Sequence, residues 1–192
     1  MPHINISDDE YRARREHWSN SQASRTPTTG IIQNLVIFIN FPPHPNDPGD
    51  GEFTEPITTF ETLFNSNDNI TNSLYNYFYH ASNSQLQVYS SFYPAPSGNT
   101  IMSYQAENYR SYYTYPSLGD LTIYYNRVSD LLKAAVQYIA DEVPTYLNID
   151  NNNDGKVDNI VFIIEGLTDI WSDGLLWPHA SSFNDPQSCN QR

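Results

Sequence analysis

The sequence has few cysteines and no long apolar run. Cys189 is the single cysteine among 192 residues, so no disulfide within the chain can hold its fold. No apolar stretch reaches the roughly 18 to 20 residues that a transmembrane helix needs, and residues 1–25 lack the apolar core of a signal peptide. We therefore expect no membrane insertion and no disulfide framework, and we expect any export signal to lie outside this sequence.

Basic residues are scarce as well. Nine Lys and Arg residues stand against 22 Asp and Glu, which gives a net charge of −13. A chain this acidic repels phosphate backbones and anionic lipid, so we expect no nucleic-acid binding and no attachment to anionic membrane surfaces. Only two lysines accompany fifteen tyrosines, a composition that favours an exported protein. The length predicts a single domain with a buried core.

Strand and helix patterns follow one another along the chain. Residues 1–30 are interpreted as a lead-in arm with a charged helix over Asp8 to Trp18 and a linker, and residues 31–192 as the domain. The unbroken β-branched and aromatic run Leu35–Ile39 predicts a strand buried on both faces, as in a parallel sheet, and the apolar run Ile160–Ile164 predicts a further strand. Apolar residues at helical spacing precede each later strand. The predicted strands lie near 35–41, 86–92 and 160–165, and the predicted helices over 57–64, 70–81 and 128–143. This order indicates an α/β fold.

The segment Asp150–Asp158 matches the first nine positions of a calcium-binding loop. Side-chain oxygens stand at positions one, three and five, glycine at six, a backbone carbonyl at seven and an acid at nine. The predicted calcium ligands are therefore Asp150, Asn152, Asp154, Lys156 through its carbonyl, and Asp158. Position twelve is Val161 rather than the bidentate Glu of an EF-hand, so a further carboxylate is expected from elsewhere. The alternative is an acidic turn that only joins helix to strand.

No complete catalytic motif stands in the sequence. The five histidines form no HExxH string and no pair at the four-residue spacing that places two imidazoles on one helix face. Cys189 lies in a polar tail, and no nucleophile elbow or phosphate-binding glycine loop is present. The remaining candidates are Trp177 and His179, in a loop after the apolar strand. They either border a substrate cleft or pack on the end of the sheet.

Taken in order, these segments resemble the N-terminal half of the catalytic domain of immune inhibitor A-like secreted bacterial zinc metallopeptidases (peptidase family M-six). The resemblance covers roughly residues 26–183. The segments that carry it are Leu35–Phe41, the predicted helix Ile70–Ala81 with the Ser82–Leu86 stretch after it, the Asp150–Asp158 loop, the Ile160–Ile164 strand and Trp177-Pro178-His179.

The resemblance implies a zincin-like N-terminal subdomain, a twisted mixed sheet flanked by helices that forms one wall of a cleft for a protein or peptide substrate. In complete members, a HExxH helix downstream of the matched segment holds a zinc ion, which activates the water that attacks the peptide bond. This sequence contains no HExxH, so no zinc ligand is carried over, and the C-terminal catalytic subdomain is expected to be missing from the chain. The implied location is extracellular or at the cell surface.

A second interpretation is kept open. The chain is then a non-enzymatic, calcium-stabilised exported domain, or a pseudo-enzyme, that binds a partner through the tyrosine-rich region 94–125. Tyrosine side chains suit this role because each has a large apolar ring and a polar tip. Alternatively, the same tyrosines pack as a satellite core in a loop-rich region, and this is the interpretation that the sequence favours.

Overall fold

The computed structural model describes residues 27–43, 51, 53–113 and 121–166. The predicted helix over Asp8 to Trp18 lies outside these ranges. The described elements in chain order are β1 (Gly30–Asn40), α1 (Ile57–Asn65), α2 (Leu74–Ala81), β2 (Leu86–Tyr93), β3 (Tyr104–Gln105), a 3-10 helix (Arg110–Tyr113), α3 (Leu121–Ile139) and β4 (Ile160–Ile164). Among them, no helix is both long and apolar enough to cross a membrane.

β1 is the central strand of a four-stranded sheet. Its residues Leu35 to Ile37 pair with both β2 and β4, so these two strands lie on opposite sides of it. The short β3 pairs with the end of β1, at Ile39 and Asn40. The predicted α/β class is confirmed. Every pairing between the described strands is parallel. A mixed sheet, as predicted, also needs an antiparallel strand, and none is found among the described strands.

The parallel arrangement explains why β1 is apolar without alternation. Leu35, Ile37 and Ile39 point to one face of the sheet, where they pack in a cluster with the apolar stripe of α3. Val36 and Phe38 point to the other face and pack with Ile57 of α1 and its neighbours. A strand covered by helices on both faces needs apolar side chains at consecutive positions.

The second helix covers the β2 side of the sheet. Leu74 and Phe78 of α2 pack on a third cluster, formed by Ile32, Leu86 and Val88. α2 begins at Leu74, four residues later than the spacing of apolar residues predicted. The reason is local, because the Ser73 hydroxyl accepts a hydrogen bond from the Asn76 backbone N–H and caps the helix at that point.

α3 is the longest described helix, and its predicted apolar stripe is confirmed. Val128, Leu131, Ala135 and Ile139 are buried on the face that meets the sheet. The helix starts at Leu121, before the stripe begins, and ends at Ile139, ahead of Pro144. It leads through residues 140–149 to the acidic loop and then to β4, whose five residues are all half-buried, so the loop lies between α3 and a strand of the sheet.

Phe38 offers a direct test of this packing. Its side chain is fully buried, with ring centroids of Phe53 and Phe60 each at 5.1 Å in edge-on contact and that of Phe92 at 6.1 Å. We expect Phe38→Ala to lower the free energy of unfolding by about 3–5 kcal/mol, because it leaves a cavity among these rings. Urea denaturation measures the change.

The control for this variant is Ile70→Ala, since Ile70 is 92% exposed. A surface substitution of this kind changes the free energy of unfolding by about 0.5 kcal/mol or less. Equal midpoints for Phe38→Ala and Ile70→Ala would contradict the packing described for this face of the sheet.

Candidate metal centre

The acidic loop Asp150–Asp158 is tied to the core at both ends. The Asp158 backbone N–H donates to the Ile149 carbonyl at 2.8 Å, which brings the two ends of the loop together. Ile149 and Val157 are half-buried against the same cluster as α3 and β4. The loop is therefore a closed turn anchored in the core.

Side-chain oxygens at alternate positions fold back onto the loop backbone. The Asp150 carboxylate accepts from the backbone N–H groups of Asp154 (3.0 Å) and Gly155 (2.8 Å). Asn152 Oδ1 also accepts from the Asp154 N–H, and Asp154 Oδ1 accepts from the Lys156 N–H, each at 3.0 Å. These bonds gather three of the predicted ligand side chains around one turn.

Two residues of the loop have left-handed backbone conformations. Asn153 has a φ of 56° and Gly155 a φ of 79°. Glycine takes this conformation without steric penalty, and asparagine tolerates it better than most residues. The glycine at the sixth position is therefore required by the sharp turn, as the sequence pattern predicted.

Asp158 closes the loop. Its Oδ2 accepts from both the backbone N–H and the side-chain amide of Asn151, at 2.9 and 3.0 Å. The ninth-position acid thus holds the second residue of the loop, a role that the spacing of ligand positions does not reveal. Its place among the calcium ligands stays a prediction.

The chemistry of the donor set fits calcium. Asp150 and Asp154 offer carboxylates, Asn152 an amide oxygen and Lys156 a backbone carbonyl, all of them the hard oxygen ligands that calcium prefers. Structural zinc sites in proteins are instead built from cysteine and histidine, and this loop contains neither. Across the described part of the chain, no three His, Cys, Asp or Glu side chains cluster closely enough to hold a metal. A calcium ion in this loop would therefore need the amide oxygen and the backbone carbonyl oxygen as well as the two carboxylates.

A buried polar chain connects the loop to the sheet, and the sequence patterns did not identify it. Asn159 follows the loop directly, and its side-chain amide donates to Asn34 Oδ1 at 2.9 Å. Asn34 Nδ2 donates in turn to the Ser90 hydroxyl at 2.9 Å. The Asn65 side chain then binds both the N–H and the carbonyl of Ser90, each at 2.8 Å. The one available signal was Asn34 itself, a polar residue directly before an apolar strand.

More polar groups are buried where the parallel strands end. Asn40 is 5% exposed, and its Oδ1 accepts no hydrogen bond from any described residue. Glu165 follows β4, and its backbone N–H donates to the Ile39 carbonyl at 2.9 Å. Arg110 is buried against Gly166, where a Cβ atom would stand 2.3 Å from the Arg110 Nη1. A glycine is needed there because the buried guanidinium occupies the space of a side chain.

The predicted cleft residues Trp177 and His179 lie outside the described residues. Among the described residues, a cleft of about 720 Å³ lies between α1 and α2. Apolar side chains with exposed surface line it, namely Leu63, Ile70 and Tyr77, together with His80. Apolar spacing predicted the two helices that form this cleft, but not the space between them.

The tyrosine-rich region divides between core and surface. Tyr113 and Tyr124 are buried in the cluster that packs on α3, and burial raises the pKa of Tyr113. Tyr109 and Tyr125 are exposed. Tyr112 is exposed too, and the Arg127 guanidinium lies 4.1 Å from its ring centroid. Both interpretations of this region are thus represented among its described residues.

Comparisons with protein-family models, with curated proteins and with solved structures found no match. The family and the function are therefore argued from the residues themselves.

Asp68, in the turn that borders the cleft, generates a prediction about pH. Its carboxylate accepts from the hydroxyl and the backbone N–H of Thr71, from the Ile70 N–H and from the Ser66 hydroxyl. These bonds, that from the Thr71 hydroxyl foremost, lower the pKa of Asp68 well below its ordinary value of 3.8. The ionised Asp68 carboxylate therefore stabilises the folded state at pH values above the pKa that Asp68 has in the unfolded chain. This stabilisation is lost as the pH falls through the pKa of Asp68 in the folded state.

We expect Asp68→Asn to lower the urea midpoint at neutral pH, and we expect the gap from the native sequence to shrink as the pH falls from about 5 to about 2. Asp130→Asn is the control, because Asp130 is exposed on α3. A gap for Asp68→Asn that stays constant over this pH range would show that the bonds to the charged carboxylate contribute nothing.

Proposed function

We propose that this chain is the N-terminal portion of a secreted, calcium-stabilised zinc metallopeptidase, which hydrolyses peptide bonds as the complete protein. The observation that carries the proposal is the loop Asp150–Asp158. Its alternate side-chain oxygens converge on one closed turn directly before β4. This is the arrangement that the metallopeptidase resemblance requires between its calcium-type loop and its apolar strand.

The positions of the other matching segments support the same proposal. β1 and β4 contain two of the segments that carry the resemblance, and they are neighbours in one sheet. α2 lies within a third such segment and packs on the β2 side of that sheet. Segments that are far apart in sequence thus meet in one structural unit, as parts of one catalytic-domain wall should.

Calcium has a physical task in this loop. Asp150, Asp154 and Asp158 place three carboxylates within nine residues of a chain whose net charge is −13. The carboxylates repel one another, and a divalent cation relieves that repulsion. Asp150 and Asp154, the Asn152 amide and the Lys156 carbonyl would hold the ion. Asp158 would either join them through its other oxygen or only close the loop.

The peptidase chemistry belongs to the complete protein. A zinc ion held there would supply the Lewis acid that activates water for attack on the peptide carbonyl. This chain would contribute one wall of the substrate cleft, with Trp177 and His179 proposed on the substrate side. We propose an extracellular or cell-surface location, in agreement with the few lysines and the many tyrosines of the chain.

Calcium-dependent stability tests the metal part of the proposal. A ligand that binds only the folded state stabilises it by about 2.7 kcal/mol at a hundredfold excess over its Kd. We expect calcium to raise the thermal unfolding midpoint by several degrees, and magnesium to raise it less because it tolerates irregular geometry poorly. Differential scanning calorimetry with each ion and with chelator measures this.

Asp154→Ala is expected to abolish the calcium shift while the apo protein remains folded. Asp130→Asn removes one exposed charge far from the loop in sequence and should retain the full shift. Identical midpoints for the native sequence in calcium and in chelator would refute the calcium proposal.

Proteolysis tests the peptidase part. The purified chain is expected to show no chelator-sensitive cleavage of casein, because it contains no HExxH motif to hold a catalytic zinc. A longer product of the same reading frame that includes HExxH should cleave casein, and a chelator should stop it. Chelator-sensitive turnover by the chain alone would mean that scattered side chains build a zinc site.

The reading frame also distinguishes the peptidase from the second candidate function, which is a calcium-stabilised binding domain or pseudo-enzyme. The observation in its favour is the exposed pair Tyr109 and Tyr125 and the Arg127–Tyr112 contact. A stop codon directly after Arg192, with a calcium shift retained, would favour this alternative over the peptidase.

A further inference from the structure

Asn34 is a polar residue in the middle of an otherwise apolar core. Its side chain is fully buried in β1, between β2 and β4. Burial of an amide costs free energy unless its donor and acceptor are both satisfied. Both are satisfied here, because Oδ1 accepts from Asn159 and Nδ2 donates to Ser90. An apolar residue would fill the same space without needing partners, so these two contacts give Asn34 a specific role.

The first of these contacts fixes the exit of the acidic loop. Asn159 binds Asn34 through its side chain, and its carbonyl accepts from the Leu35 backbone N–H at 3.2 Å. Two bonds to successive residues of β1 set the position at which the chain enters β4. A shift of β4 by one residue would break the side-chain bond and leave Asn34 Oδ1 buried without a donor.

The position of this exit determines the position of the loop. Asn159 is bonded in sequence to Asp158, whose carboxylate holds Asn151 by two hydrogen bonds. Asn151 in turn follows Asp150, the residue that accepts from two backbone N–H groups of the turn. A displacement of Asn159 is thus passed through Asp158 to the first predicted ligand.

We infer that Asn159 and Asn34 are positioning residues of the calcium site, an inference that rests on the calcium binding proposed above. Neither of them is itself a predicted calcium ligand. They hold the ninth-position end of the loop in register with the central strand, so that the oxygens of Asp150, Asn152 and Asp154 are arranged before the ion binds. Outer contacts of this kind, when removed, typically weaken metal affinity about 10- to 100-fold.

The test is the calcium Kd of the full chain, measured by isothermal titration calorimetry. Asn159→Ala is expected to raise this Kd about tenfold or more. Ser90→Ala is the matched control, because it removes the bond on the far side of Asn34 and leaves the Asn159 contact in place. It should lower the unfolding midpoint and leave the Kd unchanged.

Asn34→Leu is the second variant, in case Asn159→Ala does not fold. Leucine has the same branched arrangement of side-chain heavy atoms as asparagine and needs no hydrogen-bond partners, so it removes the Asn159 and Ser90 contacts without leaving a buried polar group at position 34. It should raise the calcium Kd as Asn159→Ala does. If Asn34 and Asn159 had only a structural role, both variants would lower the unfolding midpoint and leave the calcium Kd at the native value. That result would overturn the inference but not the proposed calcium binding. Absence of calcium binding by the native sequence would overturn both together.

Discussion

Burial of β1 on both of its faces is the constraint on which the rest of this structure depends. An apolar strand of this kind needs a helical layer on each side and strand partners on both edges. α1 and α2 supply one layer, and α3 supplies the other. The connections that carry these helices also bring β2 and β4 to the two sides of β1. The acidic loop lies on the second connection, so the position of the candidate metal centre follows from the burial of this strand.

The polar groups in this core are few, and they are placed where two elements must meet in one register. The chain of Asn159, Asn34 and Ser90 crosses from β4 to β2 through the central strand. Hydrophobic contact alone is non-directional and allows strands to slip past one another, whereas a buried amide loses its partner at any other register. The structure therefore joins the exit of the loop to β1, the most completely buried of the described strands.

The charge of the chain and the shape of the loop both support the calcium ion proposed above. An acidic chain with three carboxylates in nine residues is unfavourable unless something compensates them. Backbone N–H groups compensate part of the charge on Asp150 and Asp154, and the Asn151 amide groups compensate part of that on Asp158. An oxygen-coordinated cation would complete the compensation. Such an ion would act on folding stability as directly as on any later catalytic step, because the loop is anchored in the core beside α3.

The amino-acid sequence by itself determined the local elements and the loop. Residue spacing is a property of neighbouring residues, so apolar spacing located three of the strands and the helices that cover them. The spacing of Asp, Asn and Gly located the turn at Asp150–Asp158 in the same way. The start of α2 was misplaced because a serine cap, which acts over three residues, overrode the apolar spacing. The tertiary structure alone decided which strands pair, and in which direction. It also brought Asn159 to Asn34 across 125 residues, and Asn34 to Ser90 across 56. These contacts depend on how distant segments pack, and no pattern within a short window of sequence contains that information.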